Sequence, residues 1–114
     1  MSEPLRNKRC VPCEGGTPPL SPEQVERLLG EVQGWRLAAD GKRITRSVER
    51  KNFHEVMAFV NALAWIAHQE DHHPDLEVSY KRCVIHYATH AIGGLSENDF
   101  ICAAKIDALL APRG

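Results

Sequence analysis

Four consecutive residues, Asp71-His72-His73-Pro74, set an acid beside two imidazoles, and Thr89-His90 supplies a third imidazole further along. A histidine side chain has an unperturbed pKa of about 6.5, so near neutrality it both takes and gives a proton. Several histidines brought together therefore imply acid/base chemistry or metal binding. His68 and His72 are four residues apart, the spacing that sets two metal-binding histidines on one helical face. The segment His68-Gln69-Glu70-Asp71-His72 nevertheless lacks the glutamate directly after the first histidine that a zinc-peptidase helix uses as its base. His72 and His73, if helical, point about 100° apart, which is awkward for two ligands of one ion and easy for two walls of one cleft. Histidines at a helix C-terminus also complement the helix dipole without any catalytic role, and that reading suits each of them taken alone. By the same standard His54 reads as a helix-surface residue and His86 as a sheet-face residue.

The elements that must hold these residues are legible from the pattern. Residues 1–19 carry Pro4, Pro12, Gly15, Gly16, Pro18 and Pro19 with little hydrophobic periodicity, and read as a flexible or extended N-terminal arm preceding a domain over 20–114. Ser21-Pro22-Glu23-Gln24 forms a capping box for a short helix that Gly30 ends. Two strands, 35–37 and 43–49, flank the turn-forming Asp40-Gly41. Asn52 and Glu55 open a long helix with Phe53, Val56, Met57, Val60, Leu63, Ala64 and Ala67 on its apolar stripe. That helix should stop near Glu70, because Pro74 disfavours helical geometry at His73. Strands over 76–80 and 83–89 follow, the second placing Val84, His86, Ala88 and His90 on one face and His90 at its end. After a Gly93-Gly94 loop, Ser96 and Asp99 cap a closing helix that reaches Leu110. The expected fold is α+β, a four-stranded antiparallel sheet with helices packed on one face. Trp35 could line a pocket, although such an aromatic is more often core.

Composition narrows the function. A chain of 114 residues makes one domain with one core. Its formal charge of -1 provides no strong field for nucleic acid or an anionic membrane, and 43% hydrophobic with 25% charged residues is ordinary for a soluble protein. No apolar stretch approaches the roughly 20 residues of a membrane span, and an N-terminus with Glu3 and Pro4 does not read as a signal peptide, so a cytoplasmic protein is expected. Four scattered cysteines read as thiols, with Cys83 and Cys102 as small buried hydrophobes. Cys10-Val11-Pro12-Cys13 is a lone C-x-x-C. Zinc usually wants four ligands and a thioredoxin-like motif wants a strand-to-helix setting, so packing of the arm on the domain or a neighbouring subunit is the simpler reading.

The combined pattern resembles the pterin-4a-carbinolamine dehydratase family. The likeness rests on Asp71-His72-His73-Pro74, on Tyr80, on Thr89-His90, and on Gly94-Leu95-Ser96-Glu97 leading to Asp99. Gly34-Trp35 and Phe53 extend it over about residues 20 to 110, while His68 occupies a position where the family commonly has an acidic or other polar residue. The resemblance implies removal of water from 4a-hydroxytetrahydrobiopterin or a related 4a-hydroxytetrahydropterin. The quinonoid dihydropterin product would be recycled after an aromatic amino-acid hydroxylase has turned over. Such an elimination needs an acid, since hydroxide leaves poorly unless protonated, and a base for the ring-nitrogen proton lost as the C=N bond forms. Imidazoles satisfy both needs without a metal or an organic cofactor, the pterin being substrate.

By resemblance, His72 and His90 form the acid/base pair around the 4a carbon and N5, and His73 positions the pterin and assists proton transfer. Asp71, Ala88, Thr89 and Ala91 complete the substrate-binding set. Asp99 is a supporting acid whose alternative role is the helix cap, and Trp35 is a further support. Which histidine starts protonated is left open by chain order. The family implies a homodimer or homotetramer, and a closing helix bearing Ile101, Ile106 and Leu109 offers apolar surface to hide. The alternative is a non-catalytic dimerisation or assembly module on the same fold, a transcriptional coactivator or assembly chaperone. Such a scaffold has no need of the full histidine set.

Overall fold

The computed structural model describes residues 4–12 and 15–111. Helix α1 (Pro22–Leu29) begins with Ser21 accepting from the Gln24 amide while the Gln24 side chain accepts from the Ser21 amide. Strands β1 (Arg36–Leu37) and β2 (Ile44–Glu49) run antiparallel, and Gly41 between them takes φ 70°, which costs a residue without a Cβ little. Helix α2 (Phe53–Glu70) is capped by the Asn52 side chain, which accepts from the Glu55 amide. Strands β3 (Asp75–Val78) and β4 (Arg82–Tyr87) precede helix α3 (Glu97–Leu110). The four strands form one antiparallel sheet in the order β1-β2-β4-β3, so the fold is α+β as expected.

Alternation along the central strands decides which face meets the helices. Ile44 and Val48 of β2, with Cys83, Ile85 and Tyr87 of β4, are buried. The opposite face holds Thr45 and His86, whose side chains hydrogen-bond at 2.8 Å, with Glu77 on the other imidazole nitrogen. His86 is thus a sheet-face residue. The buried stripe of α2 comprises Val56, Phe59, Leu63 and Ala67, with Phe53 and Ala64 left exposed. At about 100° per residue, Phe59 lies some 60° from Val56 on one side and Ala64 some 80° on the other; the helix is rolled towards Phe59, away from the expected stripe.

Helix α3 is buried along most of its length. Phe100, Ile101, Cys102, Ala103 and Ile106 are at most 1% exposed, so Ile101 and Ile106 are covered within the chain and only Leu109 of the three expected apolar residues faces outward. Part of that cover comes from the N-terminal arm. A single 3-10 turn, Leu5–Asn7, buries Leu5 in the core, and the Arg6 carbonyl accepts from the Lys105 ammonium. Residues 4–12 therefore pack rather than trail. The chain then returns past the loop before α3, where the Leu20 amide donates to the Leu95 carbonyl. A Cβ on Gly94 would lie 2.8 Å from the Pro19 Cβ, so only glycine allows this close approach. Among the described residues no helix is long and apolar enough to cross a membrane.

Candidate active site

The site begins where α2 ends. Asp71 adopts the left-handed conformation (φ 52°, ψ 42°), its amide donates to the His68 carbonyl, and the His72 amide donates back to the Ala67 carbonyl. The reversal therefore precedes Pro74 by three residues, and the backbone at Asp71 rather than the proline stops the helix. It also separates His68 from His72. His68 stays exposed on α2 with its ring 5.5 Å from that of Trp65, whereas His72 swings inward. The helical metal-binding pair that the spacing allowed is not formed. Among the described residues no group of three or more His, Cys, Asp or Glu could hold a metal ion.

His72 is gripped on three sides. Its ring stacks on Tyr87 with centroids 5.3 Å apart and planes 20° apart, and the Tyr87 hydroxyl donates to the His72 carbonyl. Its Nε2 lies 2.6 Å from Asp99 Oδ1; since the carboxylate oxygen accepts, Nε2 carries the proton and Nδ1 is the nitrogen left for exchange. Asp99 has no solvent exposure, and burying a carboxylate is costly unless donors surround it. Here the Ser96 amide donates to Oδ2 at 3.0 Å and the Thr89 hydroxyl at 2.9 Å. With its proton so engaged, Thr89 accepts from the Ser96 hydroxyl at 2.7 Å. Asp99 is thus helix cap and histidine partner at once, so the two roles weighed from sequence are not alternatives. Burial disfavours the His72 imidazolium, but the hydrogen bond and charge of Asp99, aided by Cys102 and Asp71, outweigh it and raise its pKa above the ordinary value.

Asp71, His72 and His73 from one connection meet Ala88, Thr89, His90 and Ala91 from the other at a cavity of about 450 Å³. That volume lies within the range of small-molecule sites. β4 closes at Tyr87, so His90 does not end a strand: it opens a 3-10 turn, His90–Ile92, that a bridge from the Thr89 amide to the Gly94 carbonyl holds in place. His73 and His90 are exposed, which places two solvent-facing imidazoles beside one that is clamped. Trp35 does not reach the cavity. It is core, with Nε1 donating to Asp107 and its ring 6.3 Å from Tyr87. An apolar groove of about 390 Å³ continues from His72 and His73 to Pro74 and Leu76, and a larger cavity of about 580 Å³ beside Leu5 and the Arg46–Asp107 pair holds no histidine.

One wall has no counterpart in the sequence reading of the site. Cys10, Val11 and Pro12 of the arm line the cavity together with Asn98. Glu70, its side chain only 4% exposed, accepts from the Cys10 amide at 2.8 Å and pairs with Arg9 and Lys105. Burial raises the carboxyl pKa, but the Cys10 amide, Lys105 and Arg9 together hold it below its usual value. Asn98 accepts from the Val11 amide and donates to the Val11 carbonyl, imitating a strand partner. Nothing in the spacing of Glu70 or Asn98 signals this seating, although an acid in the last turn of a helix, where the dipole opposes it, was a local oddity. Cys13, the other member of the C-x-x-C, lies outside the described residues.

The family profile described as Pterin 4 alpha carbinolamine dehydratase matches residues 18–109. A chain of Nitrosomonas eutropha named for this family is 60% identical over 107 residues, covering 93% of both chains. A Legionella pneumophila chain so named is 52% identical over 111 residues, covering 96% of this chain and 98% of its own length. Among solved structures, one described as a transcriptional coactivator/pterin dehydratase from Brucella melitensis has a TM-score of 0.78 and 30% identity, covering 82% of this chain and 99% of that one. Another, a pterin dehydratase-like protein described as a RuBisCO assembly factor in the alpha-carboxysome, has a TM-score of 0.59 and 22% identity over 68% of this chain and 89% of that one; it is similar in fold.

Proposed function

The chain belongs to the pterin 4 alpha carbinolamine dehydratase family, and from that premise we propose that it dehydrates a 4a-hydroxytetrahydropterin, of which 4a-hydroxytetrahydrobiopterin is the reference case. The observation that carries this reading is the clamp on His72. A buried carboxylate that raises the pKa of an imidazole at a cavity wall maintains a proton donor near neutrality. His72 gives its proton to the 4a-hydroxyl, which leaves as water. As the C4a=N5 bond forms, His90 takes the N5 proton, and the exposed His73 orients the ring and assists the transfer. Proton return from His90 to His72 through solvent resets the site. Residues 88, 89 and 91 supply the backbone that borders the ring, and no metal or organic cofactor enters the scheme. The product is a quinonoid dihydropterin, so the activity serves tetrahydropterin recycling beside an aromatic amino-acid hydroxylase.

The test follows the dehydration of chemically generated 4a-hydroxytetrahydropterin by the protein, His72→Ala and His90→Ala. Each substitution should lower kcat by about 10²–10⁴-fold, and a chelator should leave the wild-type rate unchanged. Wild-type rates in both variants would refute the mechanism; activity abolished by the chelator would return the site to metal chemistry. Self-association, which the family resemblance implies, is a further element of the proposal, and Trp65, 61% exposed on α2, is a side chain that an interface could cover. Light scattering should give the mass of a dimer or tetramer, and a monomer at all concentrations would exclude it.

A further inference from the structure

The two sulfurs of Cys10 and Cys102 lie 3.6 Å apart, one on the arm that walls the cavity and the other on α3. Cys102 is fully buried, with its thiol also 3.9 Å from the carbonyl of His72, and Cys10 is half-buried. Both neighbours of this contact are anchored. The Cys10 amide is held by Glu70, and the next residue is held through its amide and carbonyl by Asn98. The pair is therefore set at the centre of the seating of the arm.

We propose that Cys10 and Cys102 form a reversible intrachain disulfide that clamps the arm against α3 beside the cavity. A disulfide needs its sulfurs at about 2.05 Å, so they must close by roughly 1.5 Å. Rotation of the half-buried Cys10 side chain supplies that movement, its amide staying on Glu70. The contact already differentiates the two thiols. The hydrogen bond from Cys10 lowers the pKa of Cys102, and the same contact, with burial, raises that of Cys10. Cys10 also precedes residues 18–109, so the clamp joins a segment outside the family match to a helix within it.

The oxidant is a low-molecular-weight disulfide, R–S–S–R. Cys10, half-buried where Cys102 is fully buried, is the sulfur open to such a reagent; its raised pKa makes this the slow step, quickening as pH rises. It loses its proton and attacks one reagent sulfur, giving Cys10–S–S–R and RS⁻. Cys102 then loses its proton and displaces the second RS⁻, forming the Cys10–Cys102 bond. Two protein thiols give up two electrons and two protons, and the reagent departs as two RSH. The bond itself is independent of the dehydratase reading; its consequence for turnover rests on that reading.

Full-length protein is equilibrated with mixtures of oxidised and reduced glutathione, alkylated and mapped by mass spectrometry without reduction. Wild type and Cys13→Ser should yield the peptide cross-linked through Cys10 and Cys102, lost on adding excess thiol. Cys10→Ser, a near-isosteric change on the arm, should abolish it. The oxidised form should melt roughly 5 °C or more above the reduced form, because the closed loop is long. A Cys10–Cys13 bond in wild type, a glutathione adduct on Cys10 that never resolves, or an unchanged melting temperature would overturn the proposal. Dehydration kinetics on the two forms should differ by about threefold or more in kcat/KM. Equal values would overturn the link to the site. A reduced form without any activity would refute the dehydratase reading and leave the bond intact.

Discussion

His72 Nε2 donates to Asp99 Oδ1 across 2.6 Å, joining the second residue beyond α2 to the first turn of α3. The acceptor has no solvent exposure, and its other oxygen is engaged by Thr89 and Ser96. Because the carboxylate is out of contact with water, salt screens its effect on the imidazole less than it would at the surface. His73 and His90 face the same cavity without such a partner, so the three imidazoles of the site are unequal by construction.

That inequality is measurable. For His72 as the acid, kcat/KM should fall on the alkaline side with a pKa above 6.5, the value for an unperturbed imidazole. Asp99→Asn keeps the shape and removes the charge; the alkaline limb should move to lower pH and kcat at neutral pH should drop roughly 10–100-fold. A limb that stays in place would assign the titration to another group.

Stability should respond to pH from both sides. The folded pKa of His72 is raised, so its contribution is complete below about 6.5 and is lost as pH rises through the folded value. The folded pKa of Glu70 is lowered, so its contribution is present above the usual 4.5 and is lost as pH falls through the folded value. Denaturant titrations of wild type and Glu70→Gln should differ near neutrality by about 1–3 kcal/mol and converge in acid.

The same substitution should loosen the arm. Glu70→Gln weakens the hold on Arg9 and Lys105, and hydrogen exchange at the amides of Cys10 and Val11 should accelerate by about tenfold or more while β2 and β4 remain protected.

Asp107 offers a contrast, since it supports structure away from the site. It accepts from Trp35 Nε1 and from the Gln33 amide at 2.8 Å each, and it pairs with Arg46. Asp107→Ala leaves those donors without their acceptor and should cost roughly 2–4 kcal/mol. Turnover per folded molecule should be unchanged, as read by activity against the fraction folded.

Gly94→Ala probes the loop that carries His90. The new methyl would meet Pro19 at 2.8 Å, so the return of the chain to Leu20 must shift. The expected cost is about 1–3 kcal/mol, with a fall in kcat/KM because the Thr89–Gly94 bridge sets the position of His90.

Much of this was legible from local signals. Ser21 with Gln24, Asn52 with Glu55 and Asp40-Gly41 are short-range rules, and each landed on its element. The histidines stood out by residue type and Thr89 through the family resemblance, and the fold brings His72, His73, Thr89 and His90 to one cavity. What escaped were long-range agreements. The partnership of Tyr87 with His72 requires the register of β4 against the end of α2, which alternation along one strand does not carry. The left-handed turn at Asp71 was hidden behind the louder signal of Pro74. The arm read as loose because proline and glycine mask a single buried leucine, Leu5, and because Glu70 and Asn98 reveal their purpose only once folded.

Since Asp99 both winds the first turn of α3 and holds His72, the tuning of the proposed acid exists only while that turn is intact. A molecule frayed by one helical turn retains its sheet and nearly all of its secondary structure, yet its imidazole reverts to an ordinary one. On warming, catalysis becomes a more sensitive gauge of local melting than circular dichroism. Any ligand that rewinds α3 would restore the rate without ever touching a pterin.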